Sequence, residues 1–432
     1  MDRPELIAVV GLWHLGSVIA ASWAELGHRV VGIDRSAQVV GRLEAGGAPI
    51  REAGLDALIK TGVARGRLSF TTDARAVADS DFLFIAFDTP VDDEDRLDLA
   101  ELDQAIRAAV PHLKDGAVVV VSSQVPVGTC GGWRRELQRS SRHKAVELVC
   151  APENLSLGDA VRCYLHPDRV VVGAEDAAAL DRVRALFAPM KAPFVTMSLA
   201  SAEMAKHALN SFLATSVSFI NEIATLCEVT GTDVLSVVEA LKADPRIGPR
   251  AFLAAGLGFA GGTLARDIQV LREVGRTRRV TTPLLESVLE VNRGRAGLVV
   301  RRLLDRYSKI SGLGVGVLGL TYKAGTSTLR RSVALEVIKT LSGAGATVRA
   351  FDPKADLSEL DGSARFEVAA DAYEAAQGAS ALLILTEWPE FAQLDYDRIL
   401  SLMEEPVVID GKNLLAPLRL SDRGFVYTGI GR

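Results

Sequence analysis

The sequence is poor in the residues that build disulfide frameworks and metal sites. It has only 4 cysteines (Cys130, Cys150, Cys163 and Cys227), and these are widely scattered. Its 6 histidines form, with each other or with the cysteines, no full set of ligands at the spacings of a zinc site. We therefore expect no metal, reduced thiols and a cytoplasmic location.

Basic clusters and long apolar runs are also lacking. The formal net charge is −5 and no basic block stands out, so nucleic acid is not an expected partner. No apolar run approaches the roughly 18 residues of a membrane span, and the N-terminus enters a candidate strand rather than a signal peptide. With 48% hydrophobic and 24% charged residues, the chain has the composition of a globular protein of two or three domains.

Two parts of the chain repeat one pattern. In the first, the β-rich runs LIAVV, RVVGI, DFLFIAF, AVVVVSS and VELVCA alternate with helical stretches. From about residue 311, GVGVLGL, a helix from about Ser332 and ATVRAFD repeat the order strand, turn, helix, strand, and ALLILT and PVVID continue it. An acidic residue ends the second strand of each part, Asp34 and Asp352. This alternation predicts parallel sheets with helices on both faces.

A long apolar stretch separates the two repeats. From Ser201 to about Glu228 the sequence has no Gly or Pro and is apolar on most sides, which predicts one helix of about 40 Å. The predicted fold class is therefore α/β, with two Rossmann-like doubly wound domains joined by a long central helix. The expected domains are residues 1–200, 201–300 and 301–432.

The segment VVGLWHLGSV at residues 9–18 has the position of a dinucleotide-binding turn. Gly11 allows the tight turn and Gly16 lets the helix pack closely on the strand. The N-terminus of that helix, which includes Leu15, favours a pyrophosphate. Asp34 lies 18 residues after Gly16 and suits a ribose hydroxyl, which predicts NAD rather than NADP.

Trp13 replaces the middle glycine of this turn. Either the fold binds no dinucleotide, or Trp13 points away from the cofactor or stacks on it while the pyrophosphate shifts. His14 beside it either donates a hydrogen bond to phosphate or is an ordinary turn residue.

Motifs along most of the chain resemble those of one known family. They are GLWHLG (11–16), DTP (88–90), SQVPVGT (123–129), APENLSLG (151–158), HPDRVVVG (166–173), AEMAKHALNSFLA (202–214), NEIATLCE (221–228), DPRIG (244–248), GLGFAGGTLARD (256–267), GLTYKAGT (319–326), TEWPEF (386–391) and VVIDGKNL (407–414). In content and order they resemble the nucleotide-sugar 6-dehydrogenases, the UDP-glucose and GDP-mannose dehydrogenase family.

This resemblance implies an NAD-binding domain, a central domain that forms a homodimer and a C-terminal UDP-binding domain. Family members oxidise the sugar C6 alcohol twice with two NAD, and their products enter surface polysaccharides and modified-sugar metabolism. A cysteine holds the intermediate aldehyde as a thiohemiacetal and then as a thioester, which water hydrolyses to the acid.

The resemblance also implies site residues. Lys206 and Asn210 match catalytic residues on the central helix, Asp267 matches an aspartate that orders water, and Glu153 matches a base or water holder. The positions that match the nicotinamide side are Thr89, Pro90 and Gln124. The positions that match the nucleotide-sugar site are Leu155, Phe252, Leu253, Gly258, Phe259, Gly261 and Lys323, and Arg246 is a candidate from the same or the partner subunit.

The catalytic motif itself has changed. The family pattern GFGGSCFPKD reads GFAGGTLARD at residues 258–267, so Thr263 stands at the cysteine position. A threonine hydroxyl is far harder to ionise than a thiol. Gln124 replaces the family threonine of SQVPVGT, and Ser156 replaces an arginine of APENLSLG.

Three functions remain open at this stage. The favoured one is an NAD-dependent oxidoreductase that acts on a UDP-glucose-like nucleotide sugar without a thioester, stopping at a carbonyl or acting redox-neutrally as an epimerase. The alternatives are a non-catalytic nucleotide-sugar-binding protein and a conventional two-step dehydrogenase with another nucleophile.

Overall fold

A computed structural model of the chain describes residues 4–88, 98–139, 145–153, 155–360, 362–363 and 365–432. The chain divides into two compact units, residues 1–208 and residues 209–432. Each contains one sheet covered by helices. Two Rossmann-like units and one long helix confirm the predicted fold class, whereas the three-domain boundaries stay a prediction.

The described part of the first unit contains an eight-stranded sheet with the order β3-β2-β1-β4-β5-β6-β7-β8. The strands are β1 (Leu6–Val10), β2 (Arg29–Ile33), β3 (Leu68–Thr71), β4 (Phe82–Ile85), β5 (Val118–Val121), β6 (Glu147–Cys150), β7 (Val170–Gly173) and β8 (Phe194–Met197). Strands β1, β4 and β5 are almost entirely buried, as expected for apolar runs covered on both faces. All neighbours are parallel except β6 and β7, an antiparallel pair that the alternation of strands and helices did not predict.

Helices connect these strands. They are α1 (His14–Glu25), α2 (Ala37–Glu44), α3 (Leu55–Ala64), α4 (Ala100–Ala109), α5 (Thr129–Arg139), α6 (Ala160–Leu165) and α7 (Ala177–Phe187). Where Ser36 and Asp176 precede α2 and α7, their side chains accept a backbone N–H of the first turn, which explains where these helices begin. Helix α1 is buried along most of its length, and Trp23 within it is fully buried, so the turn before it is held rigidly.

The second unit repeats this arrangement. Its described residues form a six-stranded parallel sheet with the order β11-β10-β9-β12-β13-β14. After α8 (Leu199–Thr230), the elements are α9 (Val234–Ala243), α10 (Thr263–Arg278), α11 (Pro283–Arg293), α12 (Ala296–Tyr307), β9 (Gly314–Leu318), α13 (Val333–Gly343), β10 (Thr347–Phe351), β11 (Glu367–Val368), α14 (Ala372–Ala376), β12 (Ala381–Ile384), α15 (Tyr396–Leu402), β13 (Val407–Asp410) and β14 (Val426–Gly429).

Helix α8 has 32 residues, longer than the predicted stretch, and spans about 48 Å. By length and mean hydropathy (1.3 over its most apolar window) it is also long and apolar enough to cross a membrane, which the count of consecutive apolar residues had not indicated. Polar side chains are nevertheless buried along it. The buried Glu203 carboxylate accepts N–H groups of Gly128 and Cys130 at the start of α5, which indicates packing on protein.

Two glycines shape the turn between β1 and α1. Gly11 has φ = +90°, a left-handed conformation that other residues adopt at a cost. A Cβ atom on Gly16 would lie 1.6 Å from the Gly11 carbonyl oxygen, so α1 packs directly on the turn. Both positions therefore require glycine, as the sequence pattern predicted.

Gly16→Ala is expected to lower the free energy of unfolding by about 1–3 kcal/mol, because the turn must move away from the new methyl group. Gly41→Ala is the matched control, since Gly41 lies in α2 and a Cβ atom added there would have no neighbour within 4 Å. The control is expected to be neutral or slightly stabilising. Urea unfolding of both variants measures the difference, and equal stabilities would contradict the steric argument.

Candidate active site

The turn after β1 in the first unit and the turn after β9 in the second unit each contact an aspartate, but the two aspartates accept different numbers of hydrogen bonds. Asp34 Oδ2 accepts the Leu12 N–H (2.8 Å) and Asp34 Oδ1 accepts the Ser36 N–H (2.9 Å). A carboxylate has about four acceptor positions, so Asp34 keeps capacity for a ribose hydroxyl. Asp352 in the second unit accepts four hydrogen bonds at Oδ2 and two at Oδ1. The first-unit turn is thus the one suited to a dinucleotide.

The three residues between the glycines of this turn lie in different surroundings. The Trp13 side chain is half exposed. His14 Nε2 lies 2.9 Å from Glu52 Oε2, so this histidine is engaged by a carboxylate. Leu15 is buried, and its N–H donates to Asp88 Oδ2 (2.9 Å). Thr89 and Pro90, predicted near the nicotinamide, lie outside the described residues.

Glu52 connects two loops of the candidate site and was not predicted from the sequence. Besides His14, it accepts the N–H groups of Gly158 (2.8 Å) and Ala160 (3.0 Å). It therefore ties the dinucleotide turn to the loop that carries Glu153. Burial would raise the pKa of Glu52, but the hydrogen bonds from His14 and the two backbone groups outweigh burial and hold this pKa below its usual value.

Lys206 and Glu153 form an ion pair in the first unit. Lys206 Nζ lies 3.7 Å from Glu153 Oε1, and the lysine side chain is only 7% exposed. Glu153 also accepts the Leu155 N–H, and Glu153 and Leu155 both line a small cavity of about 50 Å³. A buried ammonium beside a carboxylate can exchange a proton with an alcohol or stabilise its alkoxide.

Gln124 contacts the residue that follows Lys206 on α8. Its buried Nε2 lies 3.3 Å from His207 Nδ1, and His207 Nε2 lies 2.9 Å from the Val125 carbonyl oxygen. The amide therefore helps to seat α8 on the loop after β5. The sequence analysis did not single out His207, although it is adjacent to the predicted lysine.

The thiols of the first unit are poorly suited to replace a catalytic cysteine. A contact with Cys150 and burial both raise the pKa of the Cys130 thiol, and both sulfurs are buried. Burial and the nearby Asp159 carboxylate raise the pKa of Cys163, which lines the same cavity as Glu153. A raised pKa keeps a thiol protonated and poorly nucleophilic.

The second unit brings Asn210, Asp267 and Arg266 together. The Asn210 amide donates to Asp267 Oδ2, and Arg266 Nε lies 3.8 Å from Asp267 Oδ1. Asp267 is fully buried, whereas Thr263, one helical turn earlier, is the exposed first residue of α10. Thr263 and Asp267 thus share a face of the helix. Asn210 itself is one turn from Lys206 on α8.

Three side chains fix the glycine-rich loop at residues 256–262. Asn221 accepts the Gly256 N–H (2.8 Å), and buried Arg295 donates to the Gly256 carbonyl oxygen (3.1 Å). Asn292 pairs with both backbone groups of Phe259. None of the three was assigned from the sequence, although Asn221 lies in the NEIATLCE motif. A clue was available in that motif, because a polar residue within a largely apolar helix often has a specific partner.

The other predicted substrate residues have varied environments. Gly258 and Gly261 have positive φ, and Gly261 lies against the Tyr322 ring, over which Lys323 Nζ is placed 5.9 Å from the centroid. Phe252 is exposed. Two further positions, Leu253 and Phe259, are buried in apolar clusters, so their side chains contribute mainly to packing.

Arg246 is exposed and forms a two-point contact with Asp244 within its own loop. In this conformation its guanidinium is already paired. A role toward substrate therefore stays a prediction and would require Arg246 to leave Asp244.

Models of one protein family match most of the chain. Three models of the UDP-glucose/GDP-mannose dehydrogenase family match: the NAD binding domain over residues 5–191, the central domain over 200–294 and the UDP binding domain over 316–417. The chain belongs to the UDP-glucose/GDP-mannose dehydrogenase family. Membership confirms the predicted resemblance, an oxidoreductase activity and NAD as the cofactor.

Individual relatives cover nearly the whole chain. UDP-glucose 6-dehydrogenase TuaD of Bacillus subtilis is 36% identical over 430 residues, 99% of this chain and 93% of that protein. A UDP-glucose dehydrogenase structure from Pyrobaculum islandicum has a TM-score of 0.90 at 33% identity, covering 100% of this chain and 98% of that one. A UDP-D-ManNAc dehydrogenase structure from Pyrococcus horikoshii has a TM-score of 0.86 at 26% identity, with 99% of both chains covered.

The described residues fit NAD at the adenosine end. Gly11 and Gly16 themselves add no side chain to the turn after β1, and Asp34 offers acceptor positions beside it. The pyrophosphate end is altered, because Trp13 stands where a glycine normally allows close approach. The sequence predicted both features, but it did not predict that the Asp88 carboxylate contacts the first turn of α1.

Glu52→Gln is expected to lower the free energy of unfolding at pH 7 by about 1–3 kcal/mol, because the amide cannot satisfy His14 and two N–H groups equally well. The depressed pKa of Glu52 means that its contribution is complete above the usual value of 4.5 and is lost as pH falls through the lower folded-state value. The difference from wild type should therefore shrink below about pH 4.5.

Urea unfolding across this pH range measures that difference. The control is Glu25→Gln, since Glu25 is exposed and lies 3.5 Å from Arg65 in a solvent-accessible pair. A Glu52→Gln effect that stays constant down to about pH 3 would rule out the ionised carboxylate as its source.

Proposed function

We propose that this protein oxidises one alcohol of a UDP-hexose to a carbonyl with NAD and stops there, without a thioester stage. The observation that carries the proposal is Thr263, an exposed hydroxyl at the start of α10 where the family resemblance places the cysteine. Support for retained hydride chemistry comes from the polar pairs Lys206–Glu153 and Asn210–Asp267. A protein that only bound the nucleotide sugar would not need a buried ammonium–carboxylate pair.

Gly11, Gly16 and Asp34 would hold NAD, which would supply a hydride acceptor for the carbon that carries the alcohol. Lys206 stabilises the developing alkoxide through its charge, and Glu153, 3.7 Å away, receives the hydroxyl proton directly or through Lys206. The balanced outcome is one carbonyl, one reduced NAD and one proton. The Asn210 amide fixes the orientation of the Asp267 carboxylate, which holds water or a sugar hydroxyl.

A second oxidation needs a nucleophile that adds to the carbonyl. Thr263 has a hydroxyl with a pKa far above neutrality, and neither Arg266 nor Asp267 is a histidine-like base that would activate it. The Cys163 thiol is held protonated by burial, and Cys150 is fully buried. The acid would then form only if the aldehyde hydrated spontaneously and a second NAD took a hydride from that hydrate, a route that uses no enzyme-bound thioester.

The proposed substrate is a UDP-sugar of the glucose type. Its support is the UDP binding domain at residues 316–417 and the relatives named as UDP-glucose 6-dehydrogenases. The fixed glycine-rich loop at 256–262 and Lys323 are the residues proposed to hold the diphosphate and the nucleotide. The UDP-D-ManNAc dehydrogenase likeness makes UDP-N-acetylhexosamines the second set of sugars to test.

The proposal predicts one reduced NAD per sugar consumed. Purified protein is incubated with NAD and a panel of UDP- and GDP-sugars, NADH is counted by absorbance, and the product is identified by mass after trapping carbonyls with a hydroxylamine. Two NADH per sugar with a uronic acid would overturn the proposal. Conversion between epimers without net NADH would instead identify a redox-neutral enzyme, and unchanged sugars throughout would identify a binding protein.

Thr263→Cys sharpens this test, because it restores the thiol without altering charge. The variant is expected to form a covalent sugar adduct, detected by intact-protein mass, and to raise the yield of acid. Thr263→Ser is the matched control and should give neither. An adduct on the wild-type protein would contradict the proposed role of Thr263.

We further propose that the protein is a homodimer through α8. Phe212, Phe219 and Leu226 are spaced by seven residues and are 68%, 49% and 54% exposed, so they form an apolar stripe along one side of the helix. Large exposed apolar stripes of this kind are usually covered by a partner.

Phe219→Asp is expected to convert the dimer to a monomer, because a carboxylate would be buried in the apolar interface. Light scattering after size-exclusion chromatography measures the mass. Val280→Asp is the control, since Val280 is 61% exposed and belongs to the loop after α10 rather than to α8. A wild-type monomer, or a Phe219→Asp dimer, would contradict this interface.

A further inference from the structure

A carboxylate from another part of the chain contacts the first turn of α1. Asp88 Oδ2 accepts the Leu15 N–H at 2.9 Å. Trp13, the residue before α1, makes no side-chain hydrogen bond to the helix. Asp88 instead accepts one of the N–H groups that lack a partner at this helix start. The contact also places a negative charge at the positive end of the helix dipole.

Asp88 reaches this position because of the sheet order. It lies three residues beyond β4, and β4 is hydrogen-bonded to β1, whose carboxyl end leads into α1. The strand order reverses between these two strands, because β2 and β3 continue on one side of β1 while β4 and β5 continue on the other. In open α/β sheets a dinucleotide binds in the crevice at this reversal, with its pyrophosphate at the helix N-terminus.

The donor that Asp88 uses is therefore one that a pyrophosphate requires. Other carboxylates already surround the turn, since Asp34 accepts the Leu12 N–H and Glu52 is paired with His14. A pyrophosphate brings further negative charge to the same few ångströms, and like charges at such distances repel appreciably even with partial solvent screening. Asp88 remains exposed, so it can turn toward solvent when an anion arrives.

We propose that Asp88 is an affinity-determining residue that competes with the NAD pyrophosphate for the N-terminus of α1. In the cofactor-free protein it caps the helix, and NAD binding displaces it. Asp88 thus stabilises the empty site and lowers the affinity for NAD. The inference rests on NAD as the cofactor and is independent of which sugar is oxidised.

Asp88→Asn tests the charge while keeping an acceptor for the Leu15 N–H. NAD binding, measured by calorimetry without sugar, is expected to become about fivefold tighter at low salt, and the gain should decrease as salt screens the repulsion. Adenosine, which has no phosphate, should bind both proteins equally. Weaker or unchanged NAD binding, or an equal gain for adenosine, would overturn the proposal.

Asp115→Asn is the matched control for the change in net charge. Asp115 is exposed and precedes β5, at the amino ends of the parallel strands and so at the opposite edge of the sheet from the turn. Its NAD affinity should equal that of the wild type. A gain as large as that of Asp88→Asn would show a general charge effect and contradict a local competition.

Asp88→Ala separates competition from a purely structural role. Removing the cap should lower the melting temperature of the NAD-free protein, while the freed Leu15 N–H should still bind NAD more tightly than in the wild type. If Asp88 only supported the turn, the melting temperature and the NAD affinity would fall together. That joint loss would overturn the proposal even if the variant remained folded.

Discussion

The functional loops of this protein depend on carboxylates that accept backbone N–H groups. At the carboxyl ends of parallel strands the chain turns sharply, and the N–H groups there and at the following helix start lack partners within the helix. Asp34 and Asp88 satisfy the dinucleotide turn, and Glu52 satisfies the loop that follows Glu153. Asp352 does the same for the second unit. A buried N–H without a partner would cost enough to displace such a loop.

This constraint explains why neighbouring acidic residues can have different functions. Asp352 accepts six hydrogen bonds, whereas Asp34 accepts two and keeps capacity for a ligand. Glu153 is held by the Leu155 N–H with one oxygen while the other faces Lys206. The number of donors already bound therefore distinguishes carboxylates with no acceptor position left from carboxylates that can still bind a ligand.

In the proposed function, the change at Thr263 leaves the first half of the family's chemistry in place. Hydride transfer is there assigned to the ion pair of Lys206 and Glu153, which supplies charge beside the alcohol. The second half would require a nucleophile, and burial together with Asp159 raises the pKa of the Cys163 thiol, which makes this thiol a poor replacement. According to this proposal, the side chain at position 263 decides whether the reaction stops at the carbonyl or continues to the acid.

Several strands of both sheets could be predicted from local sequence patterns, and others could not. LIAVV, RVVGI and GVGVLGL were predicted as strands and are β1, β2 and β9, because short apolar runs rich in β-branched residues favour buried strands. Strands β7 and β8 were not predicted, and neither was the antiparallel pairing of β6 with β7, since their short runs carry no periodicity that distinguishes them from loops.

The sequence by itself determined the fold class and the family and predicted Thr263 at the cysteine position, because these depend on residue types at local spacings. Only the tertiary structure decided which polar groups meet. Glu52 reaches Gly158 across 106 residues and Asp88 reaches Leu15 across 73, and such contacts leave no local pattern in the chain. The Asp88 contact arises because the parallel strands β1 and β4 bring their carboxyl ends to one edge of the sheet, although they are far apart in the sequence.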